Sequence, residues 1–326
     1  MTIQKRFTAL ACALLLTVGM VGCQNHKNEK NGASPSGESP LQGQAWSFTD
    51  ALNRSLTIQP PKTVVSLYGS FAETWVLAGG ELAGTTADAV EERNMELPGS
   101  TQIIGTVKTP DTERMAALNP DFVILSADIA SHVQMDDMLT DMQIPHAYFR
   151  VDTYQDYLDM LNGFCRLTGR DDLYEKNGAA VERQIHEILQ KIPKMEKRPT
   201  VLLIRAFSTG AKAKGKDNLA GVILDDLNTD NIVQRHESLL EDLSLEEIIK
   251  EDPDFIFVSV MGADDEKALD ALKKDLQSNP AWQDLKAVKN DRYIVLPKEL
   301  FHYKPNAKWG ESYAYLARIL YPEAMD

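Results

Sequence analysis

The sequence predicts an α/β protein of two similar lobes separated by a long helical segment, and three observations support this. From Trp46 onward, short apolar runs typical of buried strands alternate with stretches of helical periodicity. Residues 152–198 show helical periodicity and no strand pattern. On either side of this segment, a short helix is followed by Pro-Asp and a buried strand. Strands that alternate with helices are typical of parallel sheets, so each half predicts its own sheet.

The N-terminus has the pattern of a bacterial lipoprotein signal. Lys5 and Arg6 precede the apolar run Phe7–Gly19, which is too short to span a bilayer and is typical of a secretory signal. A small residue stands directly before Cys23. We therefore predict a signal peptide over residues 1–22 and lipidation of Cys23, which would anchor the protein to the membrane outside the cytoplasm. The alternative is an ordinary signal peptide in which Cys23 is incidental.

Residues 23–45 are rich in Asn, Lys, Gly, Ser and Pro, a composition that predicts a flexible tether. Removing the signal peptide, which carries two basic residues, takes the formal net charge from −14 to −16. Phosphate binding needs clustered Lys and Arg, so this charge argues against a nucleic-acid partner.

Cys165 falls on the apolar face of a predicted helix and has no second cysteine for an internal disulfide. We expect it to be a buried, inert thiol.

Residues 46–151 form the predicted N-terminal lobe. Its expected strands are Thr63–Leu67, Leu82–Thr86, Phe122–Ser126 and Ala147–Val151, and its expected helices are Ala72–Ala78, Thr112–Leu118 and Met135–Met142. Residues 152–198 form the predicted linking helix region. In it, apolar residues at helical spacing predict a helix over Leu173–Ile192, about 30 Å long at 1.5 Å per residue.

Residues 199–326 form the predicted C-terminal lobe. Its expected strands are Val201–Ala206, Phe255–Val260 and Arg292–Leu296, and its expected helices are Leu219–Leu227, Leu245–Glu251, Glu266–Leu276 and Lys308–Leu320. Residues 115–125 match residues 247–257 in pattern, with a helix that ends before Pro-Asp and a strand that follows. Proline disfavours helical geometry in the residue before it, which explains where both helices end.

Several segments resemble the bacterial solute-binding proteins that serve ABC importers of siderophores, heme and cobalamin. The matching segments are Lys62–Glu73, Leu82–Thr86, Ile104–Glu113, Leu243–Glu247, Asn279–Trp282 and Leu285–Asn290, within a resemblance that covers about residues 46–322. The resemblance implies two Rossmann-like lobes joined by a long α-helix, the class III periplasmic binding protein fold. It also implies capture of a small molecule outside the cell and its delivery to a permease and ATPase, without catalysis or a cofactor.

Two rival functions are an extracytoplasmic enzyme and a ligand sensor that reports to a membrane receptor. The enzyme is disfavoured because the sequence has no Gly-x-Ser-x-Gly, His-Glu-x-x-His or phosphate-binding glycine loop. The family docks its permease through one carboxylate on each lobe, and the matching positions are Glu113 and Glu246. Such pairs mainly steer encounter and fix orientation. The alternative is that each glutamate only favours the positive end of its helix dipole.

In open α/β lobes the ligand lies beyond the carboxyl ends of the strands. This rule selects Tyr68, Ser70, Arg205, Phe207, Met261, His302, Tyr303 and Lys304 as candidate ligand-binding residues. In one hypothesis, a ligand stacks on the aromatic residues while Arg205, Lys212 and Lys304 meet its anionic groups. In the other, His302 or Met261 also coordinates a heme iron. The alternative roles are core packing for Met261 and a surface hydrogen bond for His302.

We expect the ligand to be an iron chelate, either a siderophore or heme, with a corrinoid as the alternative. No site for a bare metal ion is predicted, because the sequence has no His-rich acidic loop of the kind that zinc-binding relatives use.

The anchor prediction is tested with Cys23→Ser. Acylation requires the cysteine sulfur, so the variant should carry no lipid and should appear in soluble extracytoplasmic fractions, whereas the wild type should stay with the membrane. Fractionation and mass spectrometry of the mature N-terminus measure both effects. A wild-type terminus at an unmodified Cys23 would contradict the prediction.

Overall fold

The computed structural model describes residues 43–241, 243–262 and 264–326. The predicted signal peptide, Cys23 and the tether up to residue 42 lie outside the described residues. The first element is a hairpin of two antiparallel strands, β1 (Trp46–Thr49) and β2 (Ser55–Ile58), which the sequence analysis did not predict. The N–H of Gln44 already donates to the carbonyl of Arg166 at 2.8 Å, so contact with the folded body begins before β1.

Lobe one is built on a five-stranded parallel sheet in the order β5-β4-β3-β6-β7. Its elements are β3 (Val64–Ser66), α1 (Gly69–Leu77), β4 (Gly84–Thr85), α2 (Asp88–Glu91), β5 (Gln102–Ile103), α3 (Thr112–Ala117), β6 (Phe122–Ser126), α4 (Ala130–Val133), α5 (Asp136–Asp141) and β7 (His146–Phe149). The strands and helices predicted here are confirmed, with small differences at their ends. The short elements β5, α2 and α4 are additional.

Three helices connect the two sheets, namely α6 (Tyr154–Thr168), α7 (Asp171–Tyr174) and α8 (Ala180–Lys191). A π-helical turn over Glu175–Ala179 joins α7 to α8, so the backbone stays helical from Asp171 to Lys191. The helix predicted in this region is therefore present, although the π turn was not predicted.

Lobe two has a parallel sheet in the order β10-β8-β11-β12, with β9 antiparallel to β8. Its elements are β8 (Thr200–Phe207), β9 (Gly210–Lys214), α9 (Leu219–Asp226), β10 (Asp230–Asn231), α10 (Ser238–Glu241), α11 (Leu245–Glu251), β11 (Phe255–Val260), α12 (Asp265–Leu272), α13 (Lys286–Lys289), β12 (Tyr293–Val295), α14 (Lys298–Phe301), α15 (Trp309–Leu320) and α16 (Pro322–Met325). The predicted strands and helices are confirmed, except that the helix expected to reach Leu276 changes to a π-helical turn after Leu272.

The repeated Pro-Asp pattern has the same role in both lobes. Asp121 follows the proline in lobe one, and its carboxylate accepts a hydrogen bond of 2.8 Å from the N–H of Thr63, just before β3. In lobe two, the Asp254 carboxylate accepts from both the N–H and the hydroxyl of Thr200 at 2.9 Å. Each aspartate thus binds the start of the parallel strand beside its own, which satisfies a backbone donor there.

A buried histidine holds the loop before α3 against the end of β6. The His132 Nδ1 accepts a hydrogen bond from the N–H of Ser126 (3.1 Å), so Nε2 carries the proton and donates to the carbonyl of Val107 (2.8 Å). Burial lowers the pKa of His132 to about 4 from 6.5. The ring is therefore neutral at pH 7, as its acceptor role at Nδ1 requires.

This pKa predicts how stability depends on pH. Because the folded pKa of His132 lies below its unfolded value, the contribution is complete above pH 6.5 and is lost as pH falls toward 4. It amounts to at most about 3 kcal/mol of unfolding free energy. Urea unfolding between pH 6.5 and 4 should show that the free energy of unfolding falls more steeply with decreasing pH in the wild type than in His132→Asn. The exposed His186 serves as a control, and His186→Asn should keep the wild-type slope. Equal slopes for all three proteins would contradict the assignment.

Candidate functional site

The loop after β3 brings the first candidate residues to the end of the lobe-one sheet. Tyr68 stands at the N-cap of α1, and the N–H of Gly69 donates to the Asp88 carboxylate at 2.7 Å. A Cβ atom at Gly69 would lie 2.6 Å from the backbone nitrogen of Ala89, so only glycine allows α2 to approach this closely. The close approach fixes the backbone beside Tyr68.

Tyr68 is half-buried, whereas Ser70 is buried in the first turn of α1. Burial raises the pKa of Tyr68, and the nearby negative charge of Asp88 acts in the same direction. The phenol therefore keeps its proton at neutral pH and can donate a hydrogen bond to an anionic oxygen. Ser70 is therefore buried beside Tyr68, and its carbonyl accepts hydrogen bonds from the Thr74 hydroxyl (3.1 Å) and from Asn306 Nδ2 (2.8 Å).

Two cations stand opposite each other in lobe two. Arg205, near the end of β8, is the register partner of Lys212 on β9, so their side chains share one face of the hairpin. Burial lowers the pKa of Arg205, against the influence of Asp217 and Tyr68. The Asp217 carboxylate lies 2.6 Å from Lys214 Nζ instead. Within the part of the chain that the structure describes, neither Arg205 nor Lys212 forms an ion pair.

His302 and Tyr303 follow α14 with their ring centroids 4.9 Å apart. Burial, together with the nearby charges of Arg205 and Lys298, lowers the pKa of His302 to about 4. The imidazole is therefore neutral at pH 7. The Tyr303 ring centroid lies 6.0 Å from the Arg93 guanidinium of lobe one and 6.0 Å from the Lys298 ammonium of lobe two.

Tyr68, Arg205, His302 and Tyr303 therefore come together, and we refer to these four residues as the strand-end cluster. His302 and Tyr303 are in ring contact, and the electrostatic effects of Tyr68 on the pKa of Arg205 and of Arg205 on the pKa of His302 mean that these groups lie within electrostatic range of one another. The cluster combines a protonated phenol, a guanidinium, a neutral imidazole and a second aromatic ring. This set can bind anionic oxygens and planar groups.

The other three candidates lie in different surroundings. Met261 follows β11 with 42% of its surface exposed, so the core-packing alternative is wrong for it. The Lys304 ammonium lies 3.4 Å from the Asp152 carboxylate, beside the start of α6. Phe207 ends β8, and a Cβ at Gly210 would lie 3.7 Å from its ring, which places that ring over the β8–β9 turn.

Two cations that flank Tyr303, Arg93 and Lys298, were not predicted from the sequence. Arg93 belongs to the loop that follows β4 and α2. The strand-end rule would have included this loop had it been applied to β4 as well as to β3. Lys298 begins α14, directly after the loop that follows β12, and is held by the Asp265 carboxylate at 2.6 Å.

Glu113 and Glu246 occupy the same helical position in the two lobes. Each is the second residue of its helix, α3 or α11, and each is exposed. The N-cap side chains of Asp111 and Ser244 accept hydrogen bonds from the first turns of these helices, at 3.0 and 3.4 Å. Among the described residues, neither glutamate forms an ion pair. Both carboxylates are therefore accessible to a partner.

Two surface cavities lie elsewhere. One of about 560 Å³ is lined by the β1–β2 hairpin and α6, including Trp46 and Arg166, and one of about 270 Å³ lies beside β10 in lobe two. Neither contains a residue of the strand-end cluster.

In residues 43–241, 243–262 and 264–326, no group of three or more His, Cys, Asp or Glu side chains is arranged to hold a metal ion. No helix in the same ranges has the length and apolar character needed to span a bilayer.

This chain is similar to known binding proteins in both sequence and fold. Residues 64–300 match the family described as periplasmic binding protein. The Fe(3+)-citrate-binding protein YfmC of Bacillus subtilis is 25% identical, with 89% of each chain covered. The putative ABC transporter substrate-binding lipoprotein YhfQ of the same organism is 27% identical over 88% of each. Among solved structures, the TroA-like periplasmic binding protein FepB of Veillonella parvula superposes with a TM-score of 0.67 at 20% identity, covering 86% of this chain and 91% of that one.

These matches confirm the predicted family and fold. The family match extends from β3 in lobe one to α14 in lobe two, across the connecting helices. The superposition over 86% of this chain confirms the class III arrangement of two α/β lobes joined by a long helix. The chain therefore belongs to the periplasmic binding protein family.

Proposed function

We propose that this protein is the solute-binding component of an ABC importer and captures an anionic iron chelate at the strand-end cluster. The observation that carries the proposal is the pair formed by Arg205 and Lys212. Like charges directly opposite on neighbouring strands repel, and no carboxylate among the described residues forms an ion pair with either one. An anionic ligand bound at this face would relieve the repulsion and supply the missing counter-charge.

Three members of the cluster have a role in binding such a chelate. The planar Arg205 guanidinium would form paired hydrogen bonds to a carboxylate or phenolate of the chelate. Tyr68, which keeps its proton, would donate a hydrogen bond to a second anionic oxygen. Tyr303 would offer a ring face to the organic part of the ligand. The Bacillus subtilis relative YfmC is named for ferric citrate, a chelate of this anionic class, which supports the proposal.

Heme is a second candidate ligand because of His302. A histidine must be neutral to coordinate iron, and its pKa of about 4 keeps this ring neutral across the physiological range. Met261 is exposed at the end of β11 and would be accessible to such a ligand. A corrinoid remains the alternative that the resemblance implies.

The proposed partners are a permease and an ATPase. Glu113 and Glu246 would pair with basic residues of the permease, one from each lobe, and Cys23 would carry the lipid that keeps the protein beside it. The equivalent placement of the two exposed carboxylates supports this docking role.

The ligand proposal is tested by titrating the protein with ferric citrate, ferric siderophores, hemin and cyanocobalamin, using tryptophan fluorescence. In Arg205→Gln the affinity for the anionic chelate should fall by about thirtyfold or more, because a charged partner of a desolvated anion is lost. Lys212→Gln should act in the same direction. Lys289→Gln, which removes an exposed lobe-two cation paired with Asp284, is the matched control and should bind as the wild type does.

Other outcomes separate the candidates. A Soret shift with hemin that disappears in His302→Ala, without binding of the anionic chelates, would favour heme. If the wild type bound none of the four compounds but bound a sugar, amino acid or peptide, the ligand proposal would be wrong.

The docking proposal is tested with the double variant Glu113→Lys, Glu246→Lys. Uptake by cells should be abolished while ligand affinity stays unchanged, because both side chains are exposed and lie on helices apart from the strand-end cluster. The double variant Glu187→Lys, Glu323→Lys changes the net charge equally on other exposed positions and should preserve uptake. Loss of ligand binding in step with uptake would contradict the docking role.

A further inference from the structure

Residues 302–306 follow α14 of lobe two, yet their polar contacts reach lobe one. We call them the bridging segment. Asn306 is 1% exposed, and its Nδ2 donates to the Ser70 carbonyl at 2.8 Å and to the Glu73 carboxylate at 2.6 Å. Both acceptors belong to the first half of α1 in lobe one. The bridging segment is therefore hydrogen-bonded, through its last residue, to α1, whose N-cap is Tyr68.

The contact with Glu73 extends to the aromatic part of the cluster. Arg93 forms an ion pair with Glu73, and its side chain is only 7% exposed. The same guanidinium lies 6.0 Å from the Tyr303 ring centroid. A chain of contacts thus runs from Asn306 through Glu73 and Arg93 back to Tyr303, with both ends in the bridging segment. Hydrogen bonds to charged groups at such low exposure are stronger than those between neutral groups in water.

Further features hold the segment in place. Lys304 contacts Asp152, at the start of the connection between lobe one and α6. Pro305 is buried with φ of −66°, which its ring fixes. By contrast, Arg205 belongs to the central part of the lobe-two sheet, where β8 pairs with β9 and β11. The strand-end cluster thus has two parts, one fixed to lobe one and one carried by the lobe-two sheet.

We propose that Asn306 is a positioning residue that fastens the bridging segment to α1, so that His302 and Tyr303 keep a fixed geometry with Tyr68. This inference rests on the proposed function, since it takes these three residues as ligand contacts. The ligand would then meet one preformed face built from both chain halves, and only Arg205 and its neighbours on β8 and β9 would adjust to it. Preformed contacts bind more tightly because less conformational freedom is lost on binding.

The fastening is tested first without ligand, by amide hydrogen exchange. In Asn306→Ala, exchange should be about tenfold faster in the bridging segment and in the first turn of α1, the change expected for loss of a buried hydrogen bond. Because Asn306 has a φ of 54°, which alanine adopts only with strain, Asn306→Gly is measured beside it and should show the same increase. Asn290→Ala is the control for loss of an asparagine hydrogen bond elsewhere, because the exposed Asn290 side chain donates to the carbonyl of Lys286 at 2.9 Å within lobe two. It should leave exchange at both places unchanged.

The positioning role is then tested with ferric citrate. The dissociation constant should rise about fivefold to tenfold in Asn306→Ala and stay at the wild-type value in Asn290→Ala. Unchanged exchange in Asn306→Ala would overturn the fastening, and faster exchange with an unchanged dissociation constant would overturn the positioning role. If the proposed function is wrong, the wild type itself will not bind the anionic chelate. The exchange measurement uses no ligand, so its result does not depend on the proposed function.

A second variant covers a failure of Asn306→Ala to fold. Asp152 is 58% exposed at its side chain, so Asp152→Asn should fold and should weaken only the contact with Lys304. Exchange should then be faster in the bridging segment while that of α1 stays unchanged. Faster exchange in α1 as well would count against Asn306 as the fastening residue, because Asp152→Asn leaves the Asn306 hydrogen bonds in place.

Discussion

The two sheets depend on one continuous apolar core that passes from lobe one to lobe two around α8. The cluster includes Phe71 and Trp75 under the lobe-one sheet, Ile185 on α8, and Leu203 and Trp309 in lobe two. Burial of apolar surface contributes about 25 cal/mol per Å², so exposing these side chains by separating the lobes would cost many kcal/mol of hydrophobic free energy. A second apolar cluster covers the other face of each sheet. The carboxyl ends of the strands can therefore hold opposed polar groups, because burial elsewhere fixes the distance between them.

Much of this architecture could be predicted because the buried strands are continuous apolar runs. The repeat was also visible, since Asn119 and Asp252 precede the two prolines and both adopt positive φ, which Asn and Asp tolerate better than other side chains. The strand β9 was missed because its residues, Gly210–Lys214, are small or charged and offer no apolar alternation. Its pairing with β8 is decided by the hairpin turn and by the neighbouring sheet, which a short sequence window does not contain.

The candidate site could likewise be predicted only in part from the sequence. The strand-end rule selected Tyr68 and Arg205 because the carboxyl end of a strand is a local property of the sequence. Which side chains meet there depends on contacts between the lobes. Arg93 beside Tyr303 is such a contact, and so is the hydrogen bond from Asn306 to α1. These pairs join residues that are more than 200 positions apart along the chain. No periodicity or spacing encodes them, so only the assembled fold could reveal them.

The π turn in the connecting helix determines whether its inward-facing residues form a straight row, the buried stripe, along one side of the helix. Leu173, Asn177, Val181 and Ile185 follow one another at intervals of four residues. In a regular helix, three such steps would drift around the axis by about 120°. The wider turn at Glu175–Ala179 accommodates one extra residue and absorbs most of that drift. The stripe therefore runs straight, from the Asn177 contact with Leu77 in lobe one to the core around Ile185. Deleting a single residue from this turn would rotate α8 by about 100° relative to α7 and direct its apolar face away from lobe two.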